Sequence, residues 1–165
     1  MKILIAAAGR SGTTLACAAQ LAQLLPGATV ADLEMVWPDP AAYDAVIVGS
    51  AVRMGRFARK AAQFLQLPAL KGRPFGCFCC CGLAENAPRY LAQNLPAPLA
   101  TRAVTGCFGG RLDPLRLRGM DRFIVRSVAQ ARQKENLPAP QIDTAAIGRF
   151  VAAFLVACGK TEKME

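Results

Sequence analysis

Three apolar runs without polar alternation decide most of what this chain can fold into. They are KILIAAA at 2–8, YDAVIVGSAV at 43–52 and RPFGCFCCCG at 73–82. A strand with one wet face alternates apolar and polar residues, whereas a strand covered on both faces reads as a continuous apolar run. Two further strands are predicted at 28–34 and 101–110. Helical spacing separates them. The stretch after the first strand places Leu15, Leu21, Leu24 and Leu25 near one face, with Pro26-Gly27 as the stop. Helices are also predicted over 59–66, 87–95 and 114–133, and a last one over 143–159 with Asp143 as cap and Gly159 as stop.

Strands alternating with helices predict a three-layer α/β sandwich around a five-stranded parallel sheet in the order 2-1-3-4-5. Residues 1–159 read as one domain, with 114–142 as a basic helical insertion and linker after the fifth strand and 160–165 as a polar tail. Ligands in such sheets sit at the carboxyl ends of the strands flanking the switch in strand order. Here those ends are the loops 8–14, 49–57 and 81–88.

Composition removes several classes of chemistry. The chain has 165 residues and no histidine, which excludes Ser-His and Cys-His catalysis and argues against a zinc enzyme. Its seven cysteines are odd in number and lack disulfide spacing, as expected for thiols in a reducing compartment. No apolar stretch reaches the roughly 18 residues of a membrane span. The opening run is too short for a signal peptide, so the expected location is the cytoplasm. The net charge is +9. Between Arg102 and Glu135 eight basic residues face three acidic ones, so this stretch carries +5 of it. No nucleic-acid-binding motif accompanies the charge.

The opening loop, AAAGRSGTTLAC at 6–17, has the chemistry of a phosphate site. Gly9 and Gly12 allow close approach, Ser11, Thr13 and Thr14 offer hydroxyls, Arg10 offers charge, and a helix N-terminus follows. The spacing is neither G-x-G-x-x-G nor a Walker motif. A helix start capped by Ser11 would explain the same residues without a ligand.

The loop resembles the hydroxyl-rich phosphate loop of flavodoxins. YDAVIVGSAVRMGRFARKAAQFL at 43–65 is similar to one branch of that superfamily, the menaquinone-dependent protoporphyrinogen dehydrogenases, at Tyr43, Asp44, Gly49, Arg53, Gly55 and Phe64. VTGCFGGRLDPLRLRGMDRFIVRSV at 104–128 resembles the stretch after that family's fifth strand, with Asp121, Arg122 and Phe123 as its triplet. The resemblance implies a flavodoxin-like fold with FMN as cofactor. Its phosphate would lie on Gly9, Arg10, Ser11, Gly12, Thr13 and Thr14. Its ring would lie between Ser50, Ala51, Val52, Arg53, Met54, Gly55 and a second loop at Cys81, Gly82, Leu83 and Asn86. Arg53 would contact flavin or substrate. The implied partners are a quinone such as menaquinone as electron acceptor and an anionic tetrapyrrole as substrate. The chain departs from the family at Ala8 and Gly9, where hydroxyl residues are usual. It departs again at Met54 for a tyrosine, at Arg56 for a histidine, and in a third loop without an aromatic. Two other readings stay open: a flavodoxin-like electron carrier, and a binding module of this fold without its flavin.

Two features fall outside the loops. In CFCCC, strand alternation puts Cys79 and Cys81 on one face and Cys80 on the other, which predicts core packing and no metal set. In 114–133, apolar residues interleave with Arg116, Arg118, Arg122 and Arg126. That pattern suits peripheral contact with an anionic membrane at its inner face, or an ordinary helix with a solvated basic side.

Overall fold

The computed structural model describes residues 1–110 and 142–162. The predicted helix over 114–133, the linker and the Asp121-Arg122-Phe123 triplet lie outside the described residues.

The described chain runs β1 (Ile3–Ala8), α1 (Thr13–Leu24), β2 (Ala28–Asp32), β3 (Ala45–Arg53), β4 (Arg56–Phe57), α2 (Arg59–Phe64), β5 (Phe75–Cys80), α3 (Ala87–Asn94), α4 (Ala97–Ala100), β6 (Val104–Cys107) and α5 (Thr144–Glu162). The sheet order is β2-β1-β3-β5-β6, all parallel, with the two-residue β4 antiparallel to the end of β3. Leaving out β4, this is the predicted 2-1-3-4-5 order. The register is continuous, with Ile3 beside both Ala28 and Ala45, and Val46 beside Phe75.

Alternation along β1 sends Leu4, Ala6 and Ala8 to one face and Ile3, Ile5 and Ala7 to the other, all buried. The first face packs under α2 and α3 through Ala61, Phe64, Tyr90 and Leu91. The second packs under α1 and α5 through Cys17, Ala18, Leu21, Phe150 and Phe154. Both faces are thus covered, which is why the runs lack polar residues.

Several details differ from the sequence reading. The buried stripe of α1 is Thr14, Cys17, Ala18 and Leu21, while Leu15 and Leu24 face out. At 100° per residue Leu15 falls well off the stripe that Leu21 defines. The small side chains Cys17 and Ala18 are what let α1 lie close on the sheet. Asp143 does cap α5, its Oδ1 accepting from the Ala146 N–H at 2.9 Å. Gly159 does not stop that helix, which runs on to Glu162. Among the described residues, nothing stands within 4 Å of a Cβ built at Gly148 or Gly159.

The second face carries an aromatic cluster. Phe78 stacks on Phe108 at 4.7 Å between centroids, and both meet Phe150 edge-on. Gly49 on β3 makes room for it. A Cβ there would stand 2.1 Å from Phe78 Cζ.

The parallel arrangement brings the carboxyl ends of β1, β3, β5 and β6 to one edge. After β6 the chain reaches Gly109, and it returns at Ile142 in a bridge to that same residue. Asp143 N–H also donates to the Phe108 carbonyl at 2.8 Å. Gly109 and Ile142 therefore both lie at the edge that holds the three loops. Arg102 is the one basic residue of the 102–135 stretch among the described residues. It precedes β6, at the opposite edge, and its guanidinium donates to the carbonyls of Arg73 and Leu70.

Candidate functional site

The first loop ends in an unusual helix start. Gly12 stands at the N-cap with φ 81°, a left-handed conformation that glycine adopts at little cost. No side chain caps α1. Ser11, expected as the cap, instead gives its Oγ to Thr13 Oγ1 at 3.3 Å. The first-turn N–H groups of α1 thus have no side-chain cap and point out of the loop with the positive end of the helix dipole. Arg10 is exposed beside them.

Beneath the loop lies Thr14. Its side chain is 1% exposed, and its Oγ1 is buried with no hydrogen-bond partner. The Cys80 thiol is near enough to feel that hydroxyl, without a hydrogen bond of normal geometry. An unpaired buried hydroxyl costs about 1–3 kcal/mol, so it invites a partner that the ligand-free protein does not supply. Gly9 sits directly over it. A Cβ at Gly9 would lie 2.8 Å from Thr14 Oγ1 and 3.2 Å from the Ala51 Cβ. The absence of a hydroxyl side chain at position 9 thus has a steric reason in this chain.

The second loop is a hairpin. Ser50, Ala51, Val52 and Arg53 belong to β3, and only Met54 and Gly55 form the turn, with φ of 53° and 76°. Two residues at positive φ make the tight turn whose twist suits adjoining strands. Val52 pairs with Phe57 and Arg53 with Arg56. Two exposed guanidinium-bearing residues thus stand opposite each other across the turn. Met54 is 80% exposed at the tip. Ser50 is buried, and its hydroxyl is used within the protein: it donates to the Ala51 carbonyl and accepts from the Ala58 N–H, both at 2.8 Å. It fixes the hairpin from within and is not a group presented to a ligand.

Sequence reading missed the residue that holds this hairpin. Asn94, on the last turn of α3, accepts from Phe57 N–H at 3.0 Å and donates to the carbonyls of Gly55 at 2.8 Å and Tyr90 at 2.7 Å. Its only sequence signal is a polar residue at a helix end. We expect Asn94→Ala to cost about 1–3 kcal/mol, since two carbonyls and an N–H lose their partner. Urea unfolding measures the cost, and faster amide exchange at Phe57 localises it. An unchanged Phe57 exchange rate would show that the hairpin stands without the clamp.

The third loop follows β5. Cys81 is buried, its thiol donating to the Leu83 carbonyl at 3.4 Å. Gly82 and Leu83 are half-buried, and Asn86 ends a short 3-10 turn that leads into α3. Neither this loop nor the hairpin tip carries an aromatic side chain. The structure brings Gly9–Thr14, the hairpin and Cys81–Asn86 to the same sheet edge.

Beside the third loop the cysteines divide as strand alternation predicts. Cys80 turns to the α1 face, its Sγ 3.7 Å from that of Cys17. Cys79 and Cys81 turn to the other face, where Cys107 of β6 joins them. Cys107 is half-buried, and its close sulfur contacts with Cys79 and Cys81 draw its thiol well below the ordinary range. The same contacts, with burial, push Cys79 up, and Cys107 pushes Cys81 up to about 12.

A doubly covered parallel sheet with a glycine-hydroxyl loop at its switch point defines the class of α/β proteins that take an anionic cofactor on that edge. Residues 4–137 match the sequence pattern of the flavodoxin domain, and the chain belongs to that family. No curated protein matches it. Among solved structures, it is similar to general stress protein 14 of Treponema denticola, determined in complex with FMN. The TM-score is 0.50 at 16% identity, over 81% of this chain and 99% of that one. A flavodoxin from the domain Archaea matches with TM-score 0.49 at 15% identity, over 81% and 99%. Rubredoxin oxygen:oxidoreductase of the anaerobe Desulfovibrio gigas matches with TM-score 0.45 at 16% identity over 93% of this chain, which spans 37% of that larger protein. At such identities the likeness is one of fold.

Proposed function

We propose that this chain is an FMN-binding oxidoreductase of the flavodoxin fold. The observation that carries the reading is the orphaned Thr14 hydroxyl under a loop kept open by Gly9. A phosphate received there would accept from the Thr14 hydroxyl and from first-turn N–H groups of α1, with the Ser11–Thr13 hydroxyl pair beside it. The family and the FMN complex of the T. denticola protein support the same cofactor. Val52, Arg53, Met54 and Gly55 on one side, and Cys81, Gly82, Leu83 and Asn86 on the other, would border its ring. When bound, the flavin would supply electron or hydride transfer between a reductant and an acceptor.

At finer grain we read it as a protoporphyrinogen dehydrogenase that hands electrons to a quinone. Support comes from the resemblance over 43–65 and 104–128 and from the positive charge. The exposed Arg53 and Arg56 would attract the carboxylates of a tetrapyrrole. Residues 111–141 carry +4 of the +9, and the residues that bound them, Gly110 and Ile142, lie at the same edge. Contact with an anionic membrane would bring the protein to its quinone. Among the described residues no helix is long and apolar enough to cross a bilayer.

The test is anaerobic mixing of FMN-loaded protein with protoporphyrinogen and a water-soluble menaquinone analogue. Porphyrin fluorescence that appears only with the quinone supports the dehydrogenase reading. Loaded protein that makes no porphyrin, yet reduces a partner protein, is a carrier. The absence of an aromatic from both ring loops favours a second reading, a binding module of this fold without a flavin, and failure to load would establish it.

A further inference from the structure

We infer that Cys79, Cys81 and Cys107 form a binding site for one thiophilic d10 metal ion, with monovalent copper fitting best. The three Sγ atoms lie within 4.8 Å of one another, and those of Cys81 and Cys107 are 3.7 Å apart. A zinc–sulfur bond of about 2.3 Å sets ligand sulfurs roughly 3.8 Å apart around a tetrahedral ion and roughly 4.0 Å apart in a trigonal plane. The trio therefore needs only small rotations about its Cα–Cβ bonds to close on an ion.

Topology explains the convergence. Cys79 and Cys81 are two apart on one strand and share a face. Cys107 lies beside Cys79 in the parallel register of β5 and β6, so it shares that face too. Residues adjacent in sequence could not do this, and the third ligand comes from a strand 26 residues further on from Cys81.

The chemistry selects the ion. Three sulfurs with no nitrogen ligand suit a soft cation, and the chain has no histidine to complete a mixed site. Among the described residues no fourth His, Cys, Asp or Glu joins the group. Zinc asks for four ligands in a structural site, while Cu(I) accepts three. The ion would enter by Cys107, the half-buried member, since Cys79 is fully buried and Cys81 nearly so. Binding would release the remaining thiol protons to solvent as each sulfur bonds to the ion, with no change of oxidation state. The site is argued from sheet geometry and not from a bound flavin, although it shares Cys81 with the proposed border of the flavin ring.

The experiment is a titration of the reduced, full-length protein with Cu(I) under nitrogen against bicinchoninate. Cys107→Ser and Cys17→Ser are run beside it, the second variant disrupting the other close thiol pair. The expected result is one equivalent withheld from the chelator by the wild type and by Cys17→Ser, and at least a hundredfold weaker retention by Cys107→Ser. Retention by Cys107→Ser equal to wild type, loss in Cys17→Ser, or no retention by the wild type would each overturn the site. X-ray absorption of the wild-type complex does not depend on any variant folding. Three sulfur neighbours are expected there, and two or fewer would contradict the proposal.

Discussion

Gly49→Ala should destabilise the protein by about 3 kcal/mol or more, lowering Tm by roughly 6–12 °C for a chain of this size. The added Cβ would stand 2.1 Å from Phe78 Cζ and 2.4 Å from its Cε1, and no carbon tolerates that approach. Neither partner can step aside. Gly49 lies within β3, between β1 and β5, opposite Phe78 in the register. The Phe78 ring is held by a stacked Phe108 and an edge-on Phe150. Relief requires β3 and β5 to separate or the aromatic cluster to repack, and an over-filled core pays for either. Urea unfolding reports the change, followed by fluorescence of Trp37, the one tryptophan. Gly148→Ala is the control. Among the described residues nothing stands within 4 Å of its added Cβ, and an exposed helix position gains up to about 1 kcal/mol from losing a glycine. Equal effects of the two substitutions would mean that Phe78 does not use the space at Gly49.

The second large effect concerns the opening loop, where two substitutions should separate stability from affinity. Gly9→Val places branched carbon against Thr14 Oγ1 and the Ala51 side chain. The loop must move away from its present path, and FMN affinity should fall by more than tenfold, about 1.4 kcal/mol or more. Thr14→Val acts with opposite signs on two quantities. It removes a buried hydroxyl that has no partner, so the flavin-free protein should gain about 1 kcal/mol in urea unfolding. It also removes a donor that a bound phosphate would use, so FMN affinity should drop about tenfold. Thr14→Val protein that is destabilised and binds FMN as before would remove the hydroxyl from the site.

The layers of this fold are visible in the sequence because burial on both faces leaves a direct mark. Ile3–Ala8, Ala45–Val48 and Phe75–Cys80 have no polar residue to turn outward, and each is a buried strand. The switch in strand order, and with it the sheet edge that gathers the loops, follows from strand–helix alternation. Side-chain direction within α1 was less legible. Leucine count suggested a stripe through Leu15 and Leu24, but the sheet accepts the small Cys17 and Ala18 there. The hairpin at 52–57 was hidden because Met54 adopts positive φ without the Asn-Gly or Asp-Gly signal. Asn94 could not be foreseen as its clamp, since the contact joins residues 37 and 39 apart. Cys107 was hidden for the same reason. Which residue of β6 stands beside Cys79 depends on a register that no local pattern encodes. Local periodicity thus yields elements and faces, whereas the groups that complete a site arrive through pairing between distant segments.

The central claim is that the loop Gly9–Thr14 receives the phosphate of FMN. Its most direct test is a titration of flavin-free protein with FMN, followed by quenching of flavin fluorescence, with riboflavin run in parallel. We predict one FMN per chain with Kd about 1 µM or tighter, near 8 kcal/mol of binding free energy, and riboflavin weaker by at least a hundredfold because it lacks the phosphate. Equal affinity for the two flavins, or no binding of FMN at about 100 µM, about 5.5 kcal/mol, would contradict it.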